Sequence, residues 1–458
     1  MDVPNIILVV FDTLRLDSLG CYGGETPTPN IDKFAAEAMK FDNAISPSPW
    51  TLPTHASLIT GRYALEHGIH ESFDNKIDRI STMMNNIKDQ RLTTILKKRG
   101  YNCMGLSANP VISNGTGFEL GFNQYLDIPT MPDITNEMDY LVSVLPDGTR
   151  FQASDATRYL ITHGKLMTLY KAYRQYMAAN KKIDQARYPV DKGGSLAISL
   201  IERSSYEMPL FLFVNFMEMH DPYLRSEAPL LKTHSNHLQL MDLMKIETIP
   251  SEQMNQIRSA YYERANEIDR NFGRLMKYIR TSKLFDNSLI VLTSDHGQSL
   301  KERGYYGHGI FLFDELVRVP MIVKPPAGYK INTNVDKIQS LCTIFDIMVM
   351  ASEGESSLEL PSSDIAFSES FGMQQSLSEV NTADVEEVKR VRKAIDVPRK
   401  SVYKGPYKLQ VQGSTGTIEE LTLNGKKLDP FGNKEVVRDL LNELELFKGQ
   451  EKFNLPVI

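Results

Sequence analysis

Three apolar runs in this chain end on groups that bind cations. "NIILVVF" stops at Asp12, "FLFVNFMEM" runs into His220 and Asp221, and "LIVLTS" runs into Asp295 and His296. A single carboxylate at the end of a buried strand is most simply a solvated strand end. Three such endings call for another reading. In open parallel sheets ligands bind beyond the carboxyl ends of the strands, so one sheet edge would gather Asp12, His220, Asp295 and His296. Carboxylate oxygens and imidazole nitrogens together suit a divalent cation.

A hydroxyl joins them. In "SPSPWTLPTHASLITGRY", Pro53 falls where a first helical turn begins, and "THASLIT" continues it. Thr51 then lies at or just before a helix N-terminus, where free N–H groups and the dipole favour an anion. Held on a cation, such a hydroxyl can ionise and attack phosphorus or sulfur. The same residue could simply cap the helix.

Strands and helices alternate around these groups. Residues 5–11, "YNCMGLS", "PLFLFVNF", "NSLIVLTS" and "RVPMIVKPP" read as strands too apolar to leave one face wet. "TPNIDKFAAEAMKF" reads as a helix with Thr28 as N-cap and Pro29 at its first position, running on through Ala38. "LTTILKKRG" is a short helix closed by Gly100, and a long amphipathic helix spans about Glu252 to Arg280. The fold class is α/β, with a large, mostly parallel central sheet flanked by helices on both faces. A polar helical insertion is expected at about 130–205, and 352–380, rich in Ser and Glu, reads as a loop or boundary. Beyond it, hairpins around Gly405–Pro406 and Asn424–Gly425 and a terminal helix "NKEVVRDLLNELELF" form a small α+β subdomain. The division expected is a catalytic domain over 1–360 and a C-terminal subdomain over 361–458.

The 458 residues can bury a large core, and 41% hydrophobic with 24% charged is ordinary globular composition. A net charge of −6 without basic blocks gives no reason to expect nucleic acid. Three scattered cysteines make neither a disulfide framework nor a zinc cluster and suit a reducing compartment. No signal-like segment and no run of roughly 20 apolar residues is present. The expectation is a soluble cytoplasmic protein with no membrane span and an unspecified oligomeric state.

Several long motifs, in order, resemble the sulfatase family of the alkaline phosphatase superfamily. They are "FDTLRLDSLGCYG", "TPNIDKFAAEAMKFDNAISPSPWTLPTHASLITGRY", "MHDPY", "TSDHGQSL", "GHGIFLFDELVRVPMIV" and, near the end, "GPYKLQV". The resemblance implies metal binding by Asp12, Asp295 and His296, with Thr51 as nucleophile and a further ligand. It implies that His220 and His308 contact the ester's anionic oxygens or hold a second metal, and that His55 stands where an arginine supports the nucleophile.

This chain also departs from the family pattern. Sulfatases use a Cys or Ser converted to formylglycine, and the Cβ methyl of Thr51 prevents oxidation to an aldehyde. "GLSANP" stands where a lysine and a histidine are found, and Thr13 replaces a second aspartate. A threonine nucleophile followed by Asp-His and "GHG" is similar to phosphoethanolamine transferases and lipoteichoic acid synthases. The expected activity is cleavage of a small-molecule phosphate mono- or diester using Mn²⁺, Mg²⁺, Zn²⁺ or Ca²⁺, in one site with a second possible. Alternatives are a sulfate ester hydrolase without formylglycine, a soluble phosphotransferase, and a non-catalytic anion-binding protein. Arg15 and Asp17 read as a pair holding the first loop. His67 and His70 read as loop residues, Arg62 as a helix C-terminal charge, and Glu302, His163, His234 and His237 as solvated.

Overall fold

The computed structural model describes residues 3–70, 77–127, 195–204, 208–221, 223, 249–360, 364–372, 395–413 and 416–447. Most of the expected insertion lies outside them, as do His163, His234 and His237. Its last part forms the helix Ser195–Arg203.

In chain order the strands are β1 (Asn5–Phe11), β2 (Met39–Ile45), β3 (Asn102–Ser107), β4 (Gln124–Asp127), β5 (Leu210–Phe216) and β6 (Ser288–Ser294). A two-residue hairpin follows, β7 (Ser299–Leu300) with β8 (Tyr306–Gly307), and then β9 (Arg318–Lys324). β10 (Lys330–Asn332) pairs with β12 (Ser357–Glu359), and β11 (Gln339–Ser340) lies between them in sequence. Among the described residues the central sheet has the order β11-β2-β9-β6-β1-β5-β3-β4, and only β9 runs against the others.

Alternation along the strands explains why the runs are so apolar. In β1, Ile6, Leu8 and Val10 enter the core on one face of the sheet, and Ile7, Val9 and Phe11 enter the core on the other. β5 and β6 divide in the same way. Each such buried side chain contributes about 1.5–3 kcal/mol, so a strand covered on both faces is apolar through its middle, and polar residues such as Asn215, Thr293 and Ser294 enter near its carboxyl end. Just past that end stand Asp12, Asp295 and His296.

Helix α1 (Pro29–Ala36) and the 31-residue helix Ser251–Thr281 cover one face. Helix α2 (Thr51–Thr60) and the helix Thr343–Ser352 cover the other. α1 stops at Ala36 instead of running through Ala38, because the following residues turn directly into β2. Thr28 supplies no side-chain cap to α1. Its hydroxyl is engaged by Gly20 N–H and Asp32. Asp269, buried on the long helix, accepts from Asn30 N–H at 3.0 Å and Ile31 N–H at 2.8 Å in its stead.

The C-terminal sheet is an antiparallel meander of β13 (Ile365–Ser370), β14 (Arg399–Lys404), β15 (Tyr407–Gln412), β16 (Thr417–Leu423) and β17 (Lys426–Lys427). Both hairpin turns fall where expected. Asn424 and Gly425 have φ of 50° and 75°, the left-handed pair of a tight hairpin turn. The terminal helix Lys434–Phe447 packs Val437, Leu440 and Leu444 on Val402, Leu409 and Leu421. The stretch read as loop, 352–380, in fact carries β12 and β13. β13 ties this sheet to the first: Glu369 N–H donates to Pro47 O at 2.9 Å, and Ser370 Oγ donates to Ile310 O at 2.8 Å.

Candidate active site

α2 starts at Thr51 and is buried along its whole length. Its first residue is aimed at the ends of β1 and β6. Thr51 Oγ1 lies 3.5 Å from Asp12 Oδ2 and 3.3 Å from His296 Nε2. One donor atom each from Asp12, Asp295 and His296 can be chosen so that all three lie within 4.8 Å of one another.

The donor atoms fit a cation. Asp12 Oδ1 and Asp295 Oδ2 are buried without hydrogen-bond partners, a costly state for a carboxylate unless a positive charge faces it. Asp295 Oδ1, by contrast, accepts from His296 N–H at 2.7 Å and Thr13 N–H at 3.2 Å. His296 Nδ1–H is committed to Gly297 O at 2.9 Å, which leaves the Nε2 lone pair facing the site. Thr13 holds φ of 58°, an outlying conformation for a β-branched residue. Its hydroxyl donates to Met219 O at 2.7 Å, and its carbonyl accepts from Tyr261 Oη at 2.7 Å.

Burial pushes Asp12 up to about 6, with Asp295 adding to the rise, and burial pushes Asp295 up to about 7. His296, withdrawn from water, falls to about 4. Both carboxyls therefore keep protons in the metal-free fold at a pH where the unfolded chain has lost them. The stability they lend is present below the ordinary carboxyl value of about 4 and is lost as pH rises to about 7. A cation needs the ionised forms. Mn²⁺ should consequently raise the unfolding midpoint far more at pH 8 than at pH 5.5, with affinity changing up to roughly tenfold per pH unit for each proton displaced. Thermal unfolding with and without Mn²⁺ at the two pH values checks this; an equal shift at both would contradict it.

His220 and His308 sit at the rim, both partly exposed. Their ring centroids are 5.1 Å apart, and those of His308 and His296 are 4.6 Å apart. Burial pulls His220 down, but Asp221 Oδ1, 2.7 Å from Nδ1, together with Asp12 outweighs it and raises His220 to about 10. His308 is held well below its ordinary value by burial and by the two neighbouring imidazoles. It donates from Nδ1 to Gln298 Oε1 at 2.7 Å, leaving Nε2 as an acceptor. The pair thus offers one cationic and one neutral imidazole.

His55 is fully buried, edge-on to Phe118 and Phe213. Its Nδ1 bonds Thr51 O at 2.9 Å, with Asp295 Oδ2 farther off at 3.6 Å. Its contact is with the backbone of the α2 N-terminus. Arg15 pairs with Asp17 through two bonds of 2.9 and 2.7 Å, as the spacing suggests. It also donates to Gln298 O at 3.0 Å and to Glu302, so Glu302 is part of the clamp and not merely solvated. His67 is buried against Ser57, and His70 stacks on Phe371.

Asn109 was not among the residues singled out in the sequence. It follows β3 and donates from Nδ2 to Asp12 Oδ2 at 2.6 Å, with Thr51 Oγ1 at 3.4 Å. Its position two residues past a buried strand was the available signal, the same one that marked Asp12.

A model of the family described as Sulfatase matches residues 4–349. N-acetylglucosamine-6-O-sulfatase from Bacteroides thetaiotaomicron is 24% identical over 389 residues, 73% of this chain and 66% of that protein. The chain spans about two thirds of the length of such relatives. Among solved structures, phosphonate monoester hydrolase of Agrobacterium radiobacter is similar at a TM-score of 0.59 with 17% identity, over 97% of this chain and 94% of that one. A 2-O GAG sulfatase is similar at a TM-score of 0.63 with 14% identity, over 99% and 95%. These structures share the fold.

Proposed function

The chain belongs to the sulfatase family, and within that family we propose that it is a metal-dependent hydrolase of phosphate mono- or diesters, with Thr51 as nucleophile. The observation that carries this reading is the Thr51 hydroxyl at the start of a buried helix, 3.5 Å from Asp12 Oδ2 and 3.3 Å from His296 Nε2. Asp12, Asp295 and His296 would hold the cation, with Thr51 Oγ1 beside them. Mn²⁺, Mg²⁺, Zn²⁺ and Ca²⁺ are all compatible with two carboxylates and one imidazole. When bound, the cation supplies Lewis acidity that lowers the hydroxyl pKa and steadies charge on the transferred group.

The chain's own groups do the rest. Ionised Thr51 Oγ1 forms the bond to phosphorus as the ester oxygen leaves, and His220, cationic against Asp221, donates a proton to that leaving oxygen. His308 Nε2, neutral, accepts a proton from the water that next attacks phosphorus. The phosphorus–Oγ1 bond breaks and phosphate or a phosphomonoester departs; Thr51 Oγ1 takes the proton from His308, and solvent, which received the Thr51 proton when the hydroxyl ionised, returns one to His220. The N-terminus of α2 would favour anionic oxygens placed before it, through the backbone N–H groups of Thr51, Leu52 and Thr54; Pro53 has none. His55, bonded to Thr51 O, acts as a positioning residue that keeps this turn in place. His220 and His308 equally suit binding of the anionic oxygens.

Family membership favours a second reading, a sulfate ester hydrolase working with unmodified Thr51. Sulfatases release sulfate by re-forming a carbonyl, a route closed to threonine, so release here would need water attack at sulfur. Aryl phosphate, aryl phosphodiester and aryl sulfate assayed in parallel should show the best phosphorus ester ahead by at least about tenfold in kcat/KM, on the order of 1.4 kcal/mol in the barrier. A sulfate rate above both would establish the second reading.

A further inference from the structure

Asn109 is held in one orientation. Its Oδ1 accepts from Val111 N–H at 2.8 Å, and its own N–H donates to Ser107 Oγ at 3.0 Å, so the loop after β3 grips the residue at both ends. Because Oδ1 is taken by a donor, Nδ2 is the group turned the other way. There it makes a charge-assisted bond of 2.6 Å to Asp12 Oδ2 and stands 3.4 Å from Thr51 Oγ1, in a position only 4% exposed.

Two consequences follow for the site. With Oδ2 bonded to Asn109, Asp12 presents its unpartnered Oδ1, so the amide selects which oxygen meets a cation. An N–H directed at Thr51 Oγ1 also favours the negatively charged form of that oxygen over the neutral one. The donor is a neutral amide, so the nucleophile gains an N–H without gaining a fixed positive charge.

We propose that Asn109 is a positioning residue that serves the cation site through Asp12 and the nucleophile through Thr51. The second half rests on the reading of Thr51 given above; the first half does not. A purely local role, closing the loop through Val111 N–H, is the competing account.

The test uses the full-length protein with Asn109→Ala and Asn109→Asp. The aspartate keeps an acceptor for Val111 N–H but lacks the amide N–H, so it separates loop closure from donation. Asn109→Ala should raise the Mn²⁺ dissociation constant, measured by calorimetric titration, by about 10-fold or more. Both variants should lose about 10- to 100-fold in kcat on an aryl phosphodiester, with KM within about twofold. In a Thr51→Ala background, Asn109→Ala should weaken Mn²⁺ again. Wild-type Mn²⁺ affinity in Asn109→Ala overturns the proposal, and so does wild-type kcat in Asn109→Asp. If the alanine variant fails to fold, the aspartate variant decides. Turnover surviving in Thr51→Ala alone would defeat the nucleophile reading, whereas unchanged Mn²⁺ affinity defeats this one.

Discussion

Thr51→Ala is expected to lose at least about 10³-fold in kcat while remaining folded. The side chain is buried, but it fills little space at the end of a helix whose other nine residues keep their contacts. Loss of its hydroxyl and one methyl should cost no more than about 1–2 kcal/mol of stability. Thr54 cannot take over, because its hydroxyl donates to Ser48 O at 3.0 Å and contacts Ser46 Oγ at 3.2 Å. Thr51→Ser keeps the oxygen and should stay within about tenfold of wild type. Steady-state kinetics on an aryl phosphodiester, with the unfolding midpoint measured alongside, separates loss of the nucleophile from loss of the fold.

Asp295→Asn should have an effect of similar size by a different route. An asparagine in the same rotamer still accepts from His296 N–H and Thr13 N–H through Oδ1, so the strained turn at Thr13 stays anchored. The change falls on Oδ2, which becomes an N–H₂ group pointing at the cation position. Mn²⁺ affinity should drop by more than about 100-fold and turnover with it. Removing the charge of a buried carboxylate whose Oδ2 has no hydrogen-bond partner also removes its desolvation cost. The metal-free variant should therefore unfold at the same temperature as wild type or higher at pH 8. Metal titration and thermal unfolding on the same sample read both. Wild-type turnover at limiting Mn²⁺ would remove Asp295 from the ligand set.

The groups that proved legible in the sequence share one property: each interrupts a strongly patterned segment. Asp12, Asp295 and His296 follow strands built on unbroken apolar runs, residues 6–11 and 289–292, and Thr51 precedes a proline that marks a first helical turn. Physical periodicity makes such breaks visible at a distance. β2 is harder to read, because three of its seven residues are buried and Lys40, Asp42 and Asn43 interrupt it. Asn109 also follows a patterned strand, but a loop asparagine has many uses. Nothing local announces that its amide will meet a carboxylate 97 residues earlier in the chain. The cap of α1 by Asp269 and the bond from Arg15 to Glu302 are likewise products of tertiary proximity. The C-terminal hairpins were legible from Gly405 and Asn424–Gly425, whereas the ion pairs of Lys408 with Asp314 and Glu420 were not.

Covalent capture of the transferred group tests the central claim most directly. A short pulse of the Mn²⁺-loaded wild-type enzyme with an activated aryl phosphodiester, quenched in acid and digested, should yield one peptide carrying the transferred phosphoryl group. Fragmentation should place that mass on Thr51, and the same pulse applied to Thr51→Ala should leave the peptide unlabelled. Label on any other residue, or an unlabelled Thr51 peptide in an enzyme that is turning over, would contradict the mechanism.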